Sequence, residues 1–199
     1  MLNSIKYNLS HLTDFNGRDA RQTFWFYVLF LVVLQFAIGL ISSIPLYVGM
    51  FNEIVSAIKS GANEAEMSAE MMSRMAESMA GYMRIQVWIS AGMAIVTVGL
   101  LLASFVRRLH DGGFPGWIAA VPAATELFSA AYSIVIIDDV IAVMGQAMDP
   151  ANAGEAMTLQ QEVAPYSAVA WIGYLVVIGF GVLKSQAGSN AYGAEPVRH

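Results

Sequence analysis

Residues 24–50 read FWFYVLFLVVLQFAIGLISSIPLYVGM, 27 positions without one charged side chain. At about 1.5 Å per helical residue, roughly 20 apolar residues cross the hydrocarbon core of a bilayer, about 30 Å thick. A secretory leader has a shorter apolar region, about 7–15 residues, closed by a small-residue cleavage site. This run is too long for one and reads as a retained helix. A membrane β-strand would alternate apolar and polar positions over about 10 residues, and this run does not alternate.

Three further apolar runs lie downstream. Residues 85–106, IQVWISAGMAIVTVGLLLASFV, carry no charge; residues 117–137 carry one acid, Glu126; residues 165–183 read PYSAVAWIGYLVVIGFGVL. The reading is therefore all-α: an integral membrane four-helix bundle, one domain over residues 1–199, with spans at about 24–50, 85–106, 117–137 and 165–183. Composition agrees, with 57% hydrophobic and 13% charged residues. A soluble domain carries about 25% charged residues. The net charge of -5 also argues against a nucleic-acid partner, which selects basic excess. Cysteine is absent, which excludes disulfides, thiolate nucleophiles and cysteine-based metal sites. No metal site and no cofactor are expected.

Four spans place both termini on one side. Lys6, Arg18, Arg21, Arg107, Arg108, Lys184 and Arg198 fall on that side, against Lys59, Arg74 and Arg84 on the other. The positive-inside rule makes the richer side cytoplasmic. Trp25, Trp88, Trp117 and Trp171 all lie near span ends, where indoles favour the headgroup level.

The two outer segments are not spans. Met67, Met71, Met75, Met79 and Met83 recur every fourth residue, with Met72 beside them. On a helix they form one stripe. Residues 63–83 are therefore expected as an amphipathic helix lying on the outer leaflet or over the bundle mouth, capped by Asn63, with a partner-binding face and a Cu(I) thioether site as the sharper alternatives. Residues 138–164 read as an acidic, solvated loop with a short helix and a turn at Asp149–Pro150.

The densest polar cluster joins the second and third spans: Arg107-Arg108-Leu109-His110-Asp111-Gly112-Gly113-Phe114-Pro115-Gly116-Trp117. Its glycines and proline force a tight turn, so the two spans are antiparallel neighbours. The arginines end a helix, where cations meet the negative end of the macrodipole.

RRLHDGGFPGW resembles the signature of the bacterial membrane family called domain of unknown function 805. Phe15-Asn16-Gly17-Arg18, with Arg21 and Phe24-Trp25, is similar to that family's N-terminal segment. Gly188-Ser189-Asn190-Ala191-Tyr192-Gly193-Ala194-Glu195-Pro196 is similar to its C-terminal one. The resemblance covers about residues 15–196. It departs at Phe114-Pro115, where the family has a polar or basic residue, and at residues 51–84, where the family's outer connection is compact. It implies a small inner-membrane protein and supplies no activity.

The topology gathers Arg18, Arg21, Arg107, Arg108, His110, Asp111 and Asn190 on the cytoplasmic face. One reading is architectural, with arginines anchoring the bundle. Another is a site for a lipid headgroup or other phosphate, since arginine binds phosphate bidentately. A third is a His110–Asp111 catalytic pair. No nucleophile accompanies that pair, so the chain is expected to be non-enzymatic, with membrane lipids and a protein partner or a second copy as its partners.

Glu126 lies nine residues into its span, and a charged residue at mid-span costs about 2.5–3.5 kcal/mol. It is expected to face the bundle, to be protonated, or both. Gln35, Thr97 and Tyr174 fall at a similar depth, and with Glu126 they offer the alternative function of a small transporter or channel subunit. Gly39/Ser43, Gly99/Ala103 and Ala120/Ala124 are small-xxx-small pairs that favour close helix packing.

Overall fold

The computed structural model describes the backbone of residues 1–60, 64–147 and 153–196, and their side chains other than those at 57, 60, 64–72, 146–147, 153–160 and 162–167. The described residues are helical, with no strand beyond one isolated bridge between Asn190 and Gly193. Helix α1 covers Leu2–Ser10, α2 Arg21–Ser60, α3 Glu64–Asp111, α4 Ala120–Ala147 and α5 Ala153–Val182; a 3₁₀ turn, Gly116–Ala119, leads into α4.

Each long helix runs back along the one before it. Ascending α2, Tyr27 Oη donates to the Leu100 carbonyl (3.1 Å), Gln35 Nε2 to Thr97 Oγ1 (2.7 Å) and Ser42 Oγ to Gln86 Oε1 (3.0 Å). Their partners descend α3, so the pair is antiparallel. Helix α4 returns along α3, with Arg84 Nε donating to Asp138 Oδ1 at 3.0 Å. Helix α5 returns along α4 and meets the start of α2, where Trp25 Nε1 donates to the Gly181 carbonyl at 3.0 Å. The result is an up-down-up-down bundle.

Three helices are long and apolar enough to cross a membrane: Arg21–Ser56, Ser73–Asp111 and Gly116–Gly145, with mean hydropathies of 2.4, 2.2 and 1.9. In α5 the described apolar stretch is the shorter Ala168–Val182. Large apolar side chains point outward along these helices, among them Phe36 (69% exposed) and Val135 (75%). A water-soluble bundle would turn such residues inward. Such a surface is compatible with a multi-pass membrane protein.

The helices overshoot the apolar runs. At 1.5 Å per residue, α2 is about 60 Å long and α3 about 72 Å, twice what a bilayer needs. Residues 64–83, expected within an amphipathic helix on the outer leaflet or over the bundle mouth, are continuous with the span as one helix. No proline interrupts residues 64–111, and Ala, Met, Glu and Arg propagate a helix well. An Arg74–Glu53 ion pair at 3.7 Å ties this extension to that of α2. Residues 138–164 are likewise mostly helix, α4 reaching Ala147 and α5 starting at Ala153. Asn63, the Asp149–Pro150 turn and the side chains of Met67, Met71 and Met72 lie outside the described residues. Of the rest of the stripe, Met75 and Met83 are partly buried and Met79 is exposed.

Close approach is made by glycines other than those expected. A β-carbon at Gly39 or Gly99 would meet nothing within 4 Å, whereas one at Gly173 would touch Thr125 and stand 3.1 Å from the Pro122 Cα. At Gly181 it would stand 2.9 Å from the rings of Phe24 and Trp25. Gly181 thereby opens the seat for a small core at the end of the bundle that carries the RRLHD turn, hereafter the motif end. Phe24, Phe105, Val106, Leu109 and Ala119 form that core, with Phe114 and Phe180 packed against it.

Candidate functional site

At the motif end the last turn of α3 turns its arginines inward. Arg107 and Arg108 are each 1% exposed. Arg107 Nε donates to Asp19 Oδ1 at 3.1 Å and Nη2 to Asn8 Oδ1 at 2.7 Å, while Nη1 reaches the carbonyls of His11 (2.9 Å) and Asp14. Ser104 Oγ donates to the other Asp19 oxygen at 3.0 Å. Arg108 donates to Asp111 Oδ2 and to the carbonyls of Gly181 and Leu183. Those carbonyls end α5, where four acceptors lack helical partners and the macrodipole is negative. Arg108 is thus the carboxy-terminal cap of a neighbouring helix.

Asp111 joins this group to the two chain ends. Its Oδ2 takes Arg108, and its Oδ1 takes Arg18 Nη2 at 3.0 Å and Nε at 3.2 Å. Arg18 also donates to the carbonyls of Gln186 and Gly188. Asn190 Nδ2 donates to the His110 carbonyl at 2.9 Å, and the His110 ring stacks on Tyr192 with centroids 3.8 Å apart. The turn that places these groups needs Gly113, at φ +79°, where a side chain would be strained and would also strike Gln186.

Three guanidinium groups therefore face two carboxylates, Asp19 and Asp111, and the surplus charge is met by carbonyls. Burial pushes the Asp19 carboxyl above the ordinary aspartate range, against the opposing pull of Arg107 and of hydrogen bonds from Arg107 and Ser104. The arrangement is a saturated buried network, which is stable only when each member keeps its partners.

The second polar group lies halfway along the bundle. Gln35, Thr97, Glu126 and Tyr174, one from each long helix, line one cleft of about 300 Å³. Its remaining walls are apolar, including Trp25, Leu101, Phe105, Ala123 and Ile178. Glu126 and Tyr174 interact electrostatically across it, and among the described residues no basic group forms an ion pair with Glu126. Low charge, apolar walls and a few convergent polar atoms are the usual features of a small-molecule site.

The structure thus brings Arg18, Arg107, Arg108, His110, Asp111 and Asn190 together and leaves Arg21 on the surface without an ion pair among the described residues. His110 meets the Tyr192 ring and the Gly17 carbonyl. Asp19, Asn8 and Ser104 are equal members of the network that sequence reasoning missed. Asp19 had a visible signal, being the lone acid between Arg18 and Arg21; Asn8 and Ser104 had none. Among the described residues no group of three or more His, Cys, Asp or Glu converges as metal ligands would. The family model "Protein of unknown function (DUF805)" matches residues 12–194. No curated protein and no solved structure matches the chain.

Proposed function

We propose that this chain, which belongs to the DUF805 family, is a non-enzymatic inner-membrane protein that holds a small amphiphile in its intramembrane cleft. One observation carries this reading: four helices each contribute one polar side chain to a single, otherwise apolar cleft of about 300 Å³. That volume is at the lower end for small-molecule sites, which run from about 300 to 1,000 Å³. An acid in a span is costly unless it faces such a cavity or is protonated, and here the acid lines it. A carboxyl beside a phenol and an amide favours a cationic or hydrogen-bond-donating head, and the walls favour a hydrocarbon body. Membrane lipids are the partner class with this chemistry that reaches the site without leaving the bilayer.

The motif end takes a different role in this reading. Its arginines fix helix ends rather than bind external phosphate, because their donors already meet protein acceptors. The surplus of Lys and Arg there supports a cytoplasmic placement of that end and of both termini.

The test uses dodecylamine and dodecanoic acid as probes on the purified protein in nanodiscs. Dodecylamine is expected to raise the unfolding temperature more than the acid does, and Glu126→Gln to abolish that difference. Ala123→Phe, which fills the cleft, is expected to remove the response to both. A dodecylamine response unchanged in both variants overturns the proposal.

A further inference from the structure

Helix α1 is built inside out. Ser4, Asn8 and His11 recur at i, i+4 and i+7 and so share one face. That face turns inward: Ser4 and Asn8 are buried, and Asn8 and the His11 carbonyl bind Arg107. Tyr7, on the same side, lies under the Arg107 guanidinium at 5.5 Å. Leu2, Ile5 and Leu9 form the opposite stripe, at i, i+3 and i+7. Leu2 is 76% exposed and Leu9 41%. In water a helix of this kind would bury the leucines and expose the polar row.

We infer that the Leu2–Ile5–Leu9 stripe of α1 lies in the lipid interface at the motif end, with a preference for anionic lipid. Three further observations point to lipid as the occupant. Helix α1 packs on the last turn of α3 through Arg107, so it sits where a span leaves the membrane. Phe15 and Trp117, from other segments of that end, are also exposed, and aromatic rings favour the headgroup level. The exposed basic groups of the motif end are Lys6 on α1, Arg21 at the start of α2 and Lys184 just past α5. With Arg18, Arg107 and Arg108 paired internally, these three remain to meet anionic headgroups. An apolar face flanked by cations is the pattern of a helix lying in the interface plane. The inference does not depend on what the cleft holds.

The chain contains no cysteine, so single labels are introduced cleanly. Nitroxides at Leu2→Cys, Leu9→Cys and, as control, Asn3→Cys are compared in nanodiscs for relaxation by oxygen, which partitions into hydrocarbon, and by a nickel chelate, which stays in water. Labels at positions 2 and 9 are expected to favour oxygen severalfold over nickel, and the label at position 3 the reverse. All three positions are exposed, so folding is not at stake. Nickel access at positions 2 and 9 equal to that at 3 overturns the inference. Exclusion of both reagents also overturns it, because a protein partner or a second copy would then cover the stripe. Replacing anionic by zwitterionic lipid is expected to make the label at position 9 shallower; an unchanged depth overturns the anionic preference.

Discussion

The two polar groups of this bundle are made of opposite materials. The motif end holds five buried charged side chains, Arg18, Asp19, Arg107, Arg108 and Asp111, and their partners lie within the chain. The mid-bundle cleft holds one acid and three uncharged groups around open space. Density of charge is a poor guide to where a molecule binds, because a guanidinium that already meets a carboxylate and several carbonyls has little left to offer. The sparser group is the one with room and with a carboxyl that meets no cation among the described residues.

Substitutions can break this contrast, and their expected effects fall in order. The largest belongs to Asp111→Ala. It strands Arg18 and Arg108 together, and loss of one partner of a buried pair costs about 3–5 kcal/mol. Unfolding followed in detergent should show at least that loss, or no folded protein. An unfolding temperature near that of the parent would mean that the network is not structural.

Arg107→Lys comes next. A single ammonium cannot span Asp19, Asn8 and two carbonyls as the planar fork does, and each lost charge-assisted bond contributes about 1.5–3 kcal/mol. A clear drop in unfolding temperature is expected, with α1 released and cleaved earlier by a protease. A smaller effect separates two glycines. Gly173→Val should cost about 1–3 kcal/mol by forcing α5 off Pro122. Gly39→Ala, set in open space, should stabilise α2 by up to about 1 kcal/mol. The smallest effect on stability is expected for Glu126→Gln, which keeps shape and hydrogen bonding. Its unfolding temperature should match the parent while its preference for dodecylamine over dodecanoic acid is lost. A large destabilisation would place Glu126 in the frame and remove the contrast.

How much of this was legible follows from the range of each signal. Hydropathy is local, so the run at 24–50 and its three companions marked the four long helices and, with the short RRLHDGGFPGW turn, their antiparallel order. Helix length was not legible. Alanine, methionine and glutamate in 63–83 and 138–147 suit a helix on a membrane, a helix beyond it or a continuation of a span, and only the absence of a breaker favoured the last. The depth of Gln35, Thr97, Glu126 and Tyr174 was countable at 1.5 Å per residue, but their convergence needed the order of packing around the bundle. The pairing of Asp19 with Arg107 spans 88 positions and left no trace in the periodicity of either segment. The same holds for the inward turn of the arginines, since a helix end presents cations to water or to protein with the same sequence.

The network's dependence on residues 181–193 has a consequence for biogenesis. Arg18 and Arg108 are translated long before Gly181, Leu183, Gln186 and Gly188, the carbonyls that receive them. Until that stretch leaves the ribosome, a nascent chain carries cations without their acceptors beside a helix end not yet made. Closure of the network therefore waits for this stretch, and a chain stopped before residue 181 holds Arg108 without the Gly181 and Leu183 carbonyls that receive it.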